Sequence, residues 1–165
     1  ASKVIRGGQT RMESALAGVS EVSARAKLIA IHDGARPFVT DEVIRRTVIA
    51  ADKNMAAVPV VYCTDTLKFV DKLGLVAGPI DRDCTARVQT PQIFHADLIK
   101  GALSKAASDG LSLTDDCSAI EIMGVRAMTV EGDEDNIKLT TPRDMRIAEM
   151  ILKDRGDYNE DRTRL

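Results

Sequence analysis

The sequence predicts an α/β fold in which helices cover both faces of a mostly parallel β-sheet. Two apolar runs, residues 27–31 and 56–61, are continuous rather than alternating, which is typical of strands buried on both faces. Segments with apolar residues at helical spacing alternate with these runs, as expected of an α/β domain. A third segment, residues 62–83, has short extended pieces around a turn and predicts a β-hairpin that projects from the body.

The first half of the chain is predicted to fold as helix, strand, helix and strand. Residues 11–24 place apolar side chains at helical spacing, and the apolar run that follows them is ended by Arg36 and Pro37. Thr40 is expected to cap the second helix, whose acidic first turn lies at the positive end of the helix dipole. The second apolar run then forms the second strand.

The second half begins with the hairpin, which is predicted to turn at residues 71–74. Residues 88–94 are expected to form an extended link held by Pro91. A helix, a shorter helix, a strand and a short extended piece are predicted to follow at residues 95–110, 114–124, 127–132 and 136–140.

The last helix has the clearest start signal in the chain. Thr141 is the expected cap, Pro142 occupies the first helical position and Asp144 completes a capping box. The polar tail, residues 157–165, is expected to be frayed.

Composition predicts one domain, residues 1–165, and restricts its class. A chain of 165 residues with 44% hydrophobic residues can bury one core. The net charge of −2 and the 3% aromatic content argue against nucleic-acid binding by charge or by base stacking. No apolar run is long enough to span a membrane, so no membrane association is expected. Three widely spaced cysteines predict reduced thiols in a cytoplasmic protein.

The first candidate site directly follows the first apolar run, because open α/β sheets bind ligands at the carboxyl ends of their strands. Asp33, followed by Gly34, would place a carboxylate beside closely approaching backbone, which suits a metal ion or a ribose. Arg36 adds a cation nearby. In the structural alternative, Asp33 caps a turn and Arg36 pairs with it.

The second candidate is Lys138, which follows the acidic residues of the segment 131–135. This segment lies between a predicted strand and a capped helix, so Lys138 either points into the same cleft as Asp33 or belongs to a solvated loop.

Three further segments have residues suited to anions, each with a structural alternative. Gly7 and Gly8 precede a helix and would leave backbone N–H groups free for an anion or a base, unless they form an ordinary turn. Thr114 would bind a phosphate or cap a helix. Arg82 and Arg87, at the foot of the hairpin, suit a phosphate monoester or remain solvated. The two histidines have no companion residues at a catalytic or metal-binding spacing, and His32 is interpreted as structural.

In this order, the segments resemble the 2-C-methyl-D-erythritol 4-phosphate cytidylyltransferase family. The motifs are GGxxRxxSxxxG, HDGARPF, the Asp81–Arg82 pair, QTPQIF, LTDD and EGDxDNIKLTTPxD, and they extend from Gly7 to about Ile151. Each motif is weak alone, but six in the same order are specific. The resemblance implies a Rossmann-like domain with a projecting β-arm, about residues 62–83, that embraces the second subunit of a homodimer.

The resemblance also implies transfer of CMP from CTP to 2-C-methyl-D-erythritol 4-phosphate, with Mg²⁺ as cofactor and no covalent nucleophile. Lys138 and Arg82 match the catalytic cations, and Asp33 matches the carboxylate that faces the metal ion. The nucleotide side matches Gly8, Gln9, Ser14, Asp33 and Gly34. The polyol phosphate side matches Arg36, Thr66, Arg82, Thr90 and Thr114, of which Thr66 and Arg82 would come from the arm of the second subunit.

One part of the family pattern has no counterpart in this sequence. The family's chain begins with a central strand and a glycine-rich loop that carries an Arg and a Lys to hold the triphosphate. We therefore expect these 165 residues to be the C-terminal part of the nucleotidyltransferase domain, incomplete at the N-terminus. We also expect the 165-residue chain alone to show little or no turnover.

Two alternatives remain open from the sequence. Ribitol 5-phosphate cytidylyltransferases share most of these motifs, although Ala35 and the QTPQIF segment favour the methylerythritol enzyme. A chain that dimerises, with or without binding nucleotide, but does not catalyse would account for the absent loop. Such a chain would not need to keep Asp33, Arg82, Thr114 and Lys138. The polar tail gives no support for a following cyclase domain.

Overall fold

The structure, a computed structural model, describes residues 2–156 and confirms an α/β fold with a central sheet. The helices within these residues are α1 (Arg11–Ser20), α2 (Asp41–Asn54), α3 (Ala96–Ser108), α4 (Cys117–Ile122) and α5 (Pro142–Asp154), with a 3-10 turn at Arg82–Cys84. The strands are β1 (Leu28–Ile31), β2 (Ala56–Tyr62), β3 (Lys68–Val70), β4 (Val76–Pro79), β5 (Ala86–Val88), β6 (Gln92–His95) and β7 (Met128–Glu131).

The main sheet is organised around β6 and β2. β6 pairs antiparallel with β1 and with the first residues of β2. The second half of β2 pairs antiparallel with β5, and β2 also pairs in parallel with β7. β1 has β6 as its only partner among the described strands, so its other edge is unpaired within residues 2–156.

The prediction of a mostly parallel sheet holds for the directions of β1, β2 and β7, which run the same way, but not for the pairings. Of the pairings in the main sheet, only β2 with β7 is parallel. The segment predicted as an extended link contains β6, which lies between β1 and β2. A strand of four residues directly after Pro91 is too short to show an apolar pattern of its own. The extended piece predicted at residues 136–140 is a loop rather than a strand.

Helices cover both faces of the sheet, as predicted. Neighbouring side chains of a strand point to opposite faces, and on β6 both Ile93 and Phe94 are buried, at 1% and 0% exposed. Phe94 packs in the large cluster with residues of α1, α3 and α4, such as Val19, Ile99 and Ile120. Ile93 packs on the other face against α2, and α5 forms a smaller cluster around Phe38.

The predicted hairpin is a separate two-stranded sheet formed by β3 and β4. Its turn is built by Asp71, whose side chain accepts hydrogen bonds from the backbone N–H groups of Leu73 and Leu75 at 2.8 and 2.9 Å. Gly74 has a φ of +82°, a conformation that favours glycine. Apolar side chains along the hairpin are exposed, so it contributes little to the core of its own chain.

The predicted helix starts at Thr40 and Thr141 are confirmed. The Thr40 side chain accepts from the N–H of Val43, and Thr141 and Asp144 form a complete capping box. A further capping box, between Thr10 and Glu13, starts α1, which ends at Ser20 rather than at residue 24. None of the helices within residues 2–156 has the length and apolar character needed to cross a bilayer. The tail predicted to fray lies outside the described residues.

Candidate active site

Asp33 lies two residues after the end of β1 and is surrounded by three cationic side chains. Lys138 Nζ lies 3.0 Å from its Oδ2, Arg36 Nε lies 3.5 Å from the same oxygen, and Arg11 Nη2 lies 3.9 Å from Oδ1. Burial opposes ionisation of the carboxyl, but Lys138, Arg11 and Arg36 together outweigh it and hold the pKa of Asp33 below its ordinary value. The two predicted candidates Asp33 and Lys138 therefore lie in one cluster.

The loop that carries Lys138 is held by a buried amide network. Asn136 is fully buried and donates to the Thr90 carbonyl at 2.9 Å and to Gln89 Oε1 at 3.3 Å. Gln89 in turn donates to the carbonyl of Asp133 at 2.7 Å and accepts from its N–H at 3.2 Å. Because buried polar groups fix their partners strongly, this network attaches the loop to the β5–β6 junction.

Arg36 and the backbone connect the two loops that carry the charged cluster. Arg36 Nη1 donates to the Asn136 carbonyl at 2.6 Å, and the N–H of Leu139 donates to the Ala35 carbonyl at 2.8 Å. Arg36 also pairs with Asp33, as the structural alternative for this residue predicted. These contacts place Lys138 opposite Asp33 although 105 residues separate them in the sequence.

His32 and Thr90 position the backbone of Asp33. The Thr90 hydroxyl accepts from the Asp33 N–H at 3.0 Å and lies 2.9 Å from His32 Nδ1. His32 Nε2 lies 3.0 Å from the Arg36 carbonyl. The hydrogen bonds are all satisfied if Nε2 carries the imidazole proton and Thr90 donates to Nδ1. His32 is thus a structural residue of the site, and the hydroxyl of buried Thr90 is occupied within the chain.

The backbone N–H groups of Gly8 and Gln9, directly before α1, are already bonded to side chains of that helix. Gly8 donates to Ser14 Oγ at 3.1 Å, and Gln9 donates to Glu13 Oε2 at 2.5 Å. The expectation of a free N–H for an anion or a base is therefore wrong for Gly8 in this structure, because the Ser14 side chain of α1 accepts from it. A Cβ atom on Gly8 would lie 2.2 Å from Glu13 Cβ, so this position requires glycine.

A cavity of about 490 Å³ lies between α1 and the unpaired edge of β1. Ser14 lines it from α1, and Asp33 and Gly34 line it from the end of β1. Its floor is apolar, with Val19, Ile29 and Ile31. A pocket with an apolar floor and a few convergent polar groups is typical of a small-molecule site.

Arg11 and Asp116 belong to the site but were not singled out from the sequence. Arg11 donates two hydrogen bonds to Asp116, at 2.9 and 2.6 Å, and Asp116 is 1% exposed. This fork, in which two guanidinium nitrogens each donate to one carboxylate oxygen, stabilises the Arg11 cation and raises its pKa. Arg11 is the arginine of the GGxxRxxS motif, and this motif is the feature of the sequence that could have identified it as a site residue. No sequence pattern indicates that Arg11 pairs with Asp116.

The other predicted site residues lie apart from this cluster. Thr66 is exposed on the arm, and Arg82 at the foot of the arm lies 3.4 Å from the Thr64 carbonyl and 3.8 Å from Asp83. Thr114 is exposed before α4, with its hydroxyl 3.3 Å from that of Ser118. Within one chain these three side chains do not line the cavity beside Asp33.

No cysteine of residues 2–156 lines the cavity beside Asp33. Cys63, Cys84 and Cys117 are free thiols. Burial raises the pKa of the Cys117 thiol well above its ordinary value, and the neighbouring Asp81 carboxylate raises the pKa of Cys84. A thiol with a raised pKa is a poor nucleophile at neutral pH.

Replacing Asp33 by asparagine is expected to lower the free energy of unfolding by about 1.5 kcal/mol at pH 7, the contribution of a hydrogen bond between charged groups. Because the folded-state pKa of Asp33 is lowered, its contribution is present above the unfolded-state pKa of about 3.9 and is lost as the pH falls through the folded-state pKa. Urea unfolding of wild type and D33N should therefore differ near neutral pH and converge at acidic pH.

The control for D33N is Asp65→Asn, which changes an exposed carboxylate of the arm. Its stability should follow that of wild type at each pH. A D33N difference that stays constant from pH 7 into the acid range would contradict the lowered pKa of Asp33.

Comparison with known proteins finds relatives across most of the chain. The family model described as IspD, 2-C-methyl-D-erythritol 4-phosphate cytidylyltransferase, matches residues 1–154. A curated protein of that name from Caldanaerobacter subterraneus is 41% identical over 151 residues, which are 92% of this chain. One from Symbiobacterium thermophilum is 39% identical over 153 residues, or 93% of this chain. The chain spans 66% and 65% of the lengths of these two relatives, slightly less than two thirds.

A bifunctional IspD/IspF enzyme from Nitrobacter winogradskyi is 47% identical over 140 residues, with 84% of this chain and 35% of that protein covered. Among solved structures, 4-diphosphocytidyl-2C-methyl-D-erythritol synthase from Anaerococcus prevotii superposes with a TM-score of 0.85 at 31% identity, covering 90% of this chain and 69% of that one. The 2-C-methyl-D-erythritol 4-phosphate cytidylyltransferase of Thermus thermophilus gives a TM-score of 0.81 at 34% identity, covering 90% and 72%.

Proposed function

Because the chain belongs to the 2-C-methyl-D-erythritol 4-phosphate cytidylyltransferase family, we propose that the protein transfers CMP from CTP to 2-C-methyl-D-erythritol 4-phosphate and releases pyrophosphate. The observation that carries this proposal is the cluster of Lys138, Arg36 and Arg11 around Asp33, beside the cavity between α1 and β1. Cations at the carboxyl end of a strand suit a reaction between two phosphate groups.

The proposed reaction needs cations rather than a nucleophilic side chain. An oxygen of the sugar phosphate bonds to the α-phosphorus of CTP, the bond to the bridging oxygen breaks, and its electron pair leaves with pyrophosphate. The second pKa of a phosphate monoester is about 6, so the attacking oxygen is already ionised near neutral pH and requires no general base. Lys138 and Arg36 would meet the negative charge that develops on the phosphate oxygens.

In this proposal, Asp33 positions the cations before the substrates bind. In the free protein its carboxylate holds Lys138 and Arg36 near each other, so the cations need little rearrangement when substrates bind. Mutual repulsion would otherwise separate them. The buried network of Gln89 and Asn136 supports the same arrangement from behind.

The residues at Asp33 fit a Mg²⁺ ion that arrives with the nucleotide. Mg²⁺ is commonly held by one or two carboxylates together with substrate phosphates, and Asp33 supplies one carboxylate in the lining of the cavity. In the described part of the chain, no group of three or more His, Cys, Asp or Glu side chains could hold a metal ion. Asp33 would therefore hold the ion jointly with the triphosphate, whose charge the bound ion neutralises.

The remaining assignments divide between the two substrates. We assign the nucleotide to Ser14, Asp33 and Gly34, which line the cavity. We also assign it to Gly8 and Gln9, whose N–H groups would first have to leave Ser14 Oγ and Glu13 Oε2. We assign the polyol phosphate to Arg36, Thr66, Arg82 and Thr114, and to Thr90, whose bonded hydroxyl would act by holding the Asp33 backbone. Since Thr66 and Arg82 lie on the arm, outside the cavity lining of their own chain, they would act in the site of a second subunit.

The proposed homodimer is supported by the apolar surface of the arm. Phe69 and Leu75 are 60% and 62% exposed on a hairpin that forms its own small sheet. Exposed apolar groups concentrated on one projecting element are typical of a protein interface. The arm would cover these side chains by packing against the second subunit.

Replacing Phe69 and Leu75 together by aspartate is expected to convert the proposed dimer to monomers, because charged side chains would have to be buried in the interface. Light scattering coupled to size-exclusion chromatography measures the mass. The matched control is Met150→Asp, an equally exposed residue (63%) on α5, which should leave the dimer intact. A dimer that persists in the arm variant, or a monomeric wild type, would contradict the arm-mediated dimer.

The function itself is tested by pyrophosphate release from CTP with Mg²⁺, using the protein as its gene encodes it. Reactions with 2-C-methyl-D-erythritol 4-phosphate and ribitol 5-phosphate are run in parallel, and release is expected with the methylerythritol substrate. Release with ribitol 5-phosphate alone would overturn the substrate assignment. No release with either would overturn the proposed reaction. The 165-residue chain, assayed alongside at verified mass, tests the expectation that it turns over slowly or not at all.

A further inference from the structure

A smaller cavity, of about 230 Å³, is lined in part by Lys138 and shares no described lining residue with the cavity between α1 and β1. It is lined by Arg36, Arg87, Gln89, Glu134, Asn136 and Lys138, with Val88 and Ile137. Pockets that enclose whole small molecules usually have about 300–1,000 Å³. This cavity therefore suits one group of a substrate rather than a complete substrate.

The charges of the lining favour an anionic group. Arg36, Arg87 and Lys138 are cations, and Glu134 is the one carboxylate among the lining residues. Arg36 and Lys138 also contact Asp33. Arg87 has a different partner: its Nη2 lies 2.7 Å from Glu134 Oε2.

The pair formed by Arg87 and Glu134 is exposed, with side chains 63% and 65% accessible. Exposed ion pairs contribute little to stability, because both partners are well solvated when they separate. Arg87 can therefore exchange Glu134 for another anion at small cost. A planar guanidinium forms two parallel hydrogen bonds with a phosphate, which makes a phosphate group a strong competitor for it.

We propose that Arg87 binds the phosphate of the polyol phosphate substrate, and that Glu134 is the counter-ion from which this phosphate displaces Arg87. The inference rests on the proposed function for the identity of the substrate. Glu134 thereby sets the affinity of the site: it holds Arg87 when the site is empty and competes with weakly bound anions. A phosphate monoester dianion, which also meets Arg36 and Lys138, overcomes this competition.

The inference predicts opposite effects for the two partners of one ion pair. Arg87→Gln removes a phosphate ligand and should weaken binding about tenfold, the effect of one charge-assisted contact. Glu134→Gln removes the competitor and should strengthen binding about threefold. An ion pair that only supports the loop would give the same direction in both variants, because either substitution breaks it.

Isothermal titration calorimetry on the protein as its gene encodes it measures the Kd of two probes, 2-C-methyl-D-erythritol 4-phosphate and inorganic phosphate. The matched controls are Arg45→Gln and Glu42→Gln, which break a similarly exposed pair on α2 that does not line the cavity. Neither control should change the Kd of either probe.

The outcomes separate this inference from the proposed function. Opposite shifts with both probes support both. Opposite shifts with inorganic phosphate, but no binding of the sugar phosphate, support the phosphate site and overturn the proposed substrate. Binding of the sugar phosphate with unchanged Kd in R87Q and E134Q, or with shifts in one direction, overturns the inference and leaves the proposed function standing. Failure of both probes to bind overturns both.

Discussion

Replacing Lys138 by methionine is expected to lower kcat for pyrophosphate release by about 10²–10³-fold, the usual cost of removing one group that stabilises charge in a transition state. Lys138 is the cation nearest to Asp33, at 3.0 Å, and its side chain is 43% exposed, so it is available to a substrate. Methionine keeps the apolar stem and removes the charge. Steady-state kinetics with both substrates varied would show the loss mainly in kcat rather than in KM.

A second measurement shows whether K138M acts where we expect. Among the neighbours that lower the pKa of Asp33 against its burial, Lys138 contributes most, so this pKa should rise in K138M. NMR titration of the Asp33 carboxyl measures the change. The control is Lys105→Met, which removes an exposed lysine of α3 paired with Asp109 and should leave kcat unchanged. Turnover of K138M within threefold of wild type would exclude Lys138 from the reaction centre.

The charged cluster could be anticipated from the sequence only in part. Asp33 follows an apolar run and Lys138 follows a predicted strand and its acidic segment, so the rule that ligands bind at the carboxyl ends of strands selects both. The structure places the two side chains 3.0 Å apart. Their contact depends on the backbone bond from Leu139 to Ala35 and on the bond from the Arg36 side chain to the Asn136 carbonyl, which join two loops that no local pattern relates. The proximity of Asp33 and Lys138 was implied by the family resemblance, in which both residues are parts of one site.

The fold shows the same division between local and non-local information. β1, β2 and α5 were predicted because long apolar runs and capping signals are encoded locally. β6 was missed as a strand because four residues after a proline carry no period, and its identity depends on pairing with β1 and β2. The bonded N–H groups of Gly8 and Gln9 were also missed, although Thr10 and Glu13 have the spacing of a capping box.

Replacing Arg11 by methionine is expected to lower the free energy of unfolding by about 3 kcal/mol, because it leaves a buried carboxylate without its partner. Asp116 is 1% exposed and receives both hydrogen bonds of the Arg11 fork. Water can reach the site past the partly exposed Arg11, which limits the cost. With a urea m-value of about 2 kcal/mol/M, the midpoint of unfolding should fall by about 1.5 M.

Two further variants test whether the loss of stability in R11M comes from the buried charge of Asp116. Arg45→Met breaks the exposed pair with Glu42 and should cost less than about 1 kcal/mol, so the difference between R11M and R45M isolates burial. The double variant R11M/D116L should be more stable than R11M, because it removes the stranded charge as well as its partner. If R11M costs no more than R45M, the fork is not a structural anchor. Arg11 would then stay near Asp33 for its charge alone, and its removal should lower CTP affinity without destabilising the fold.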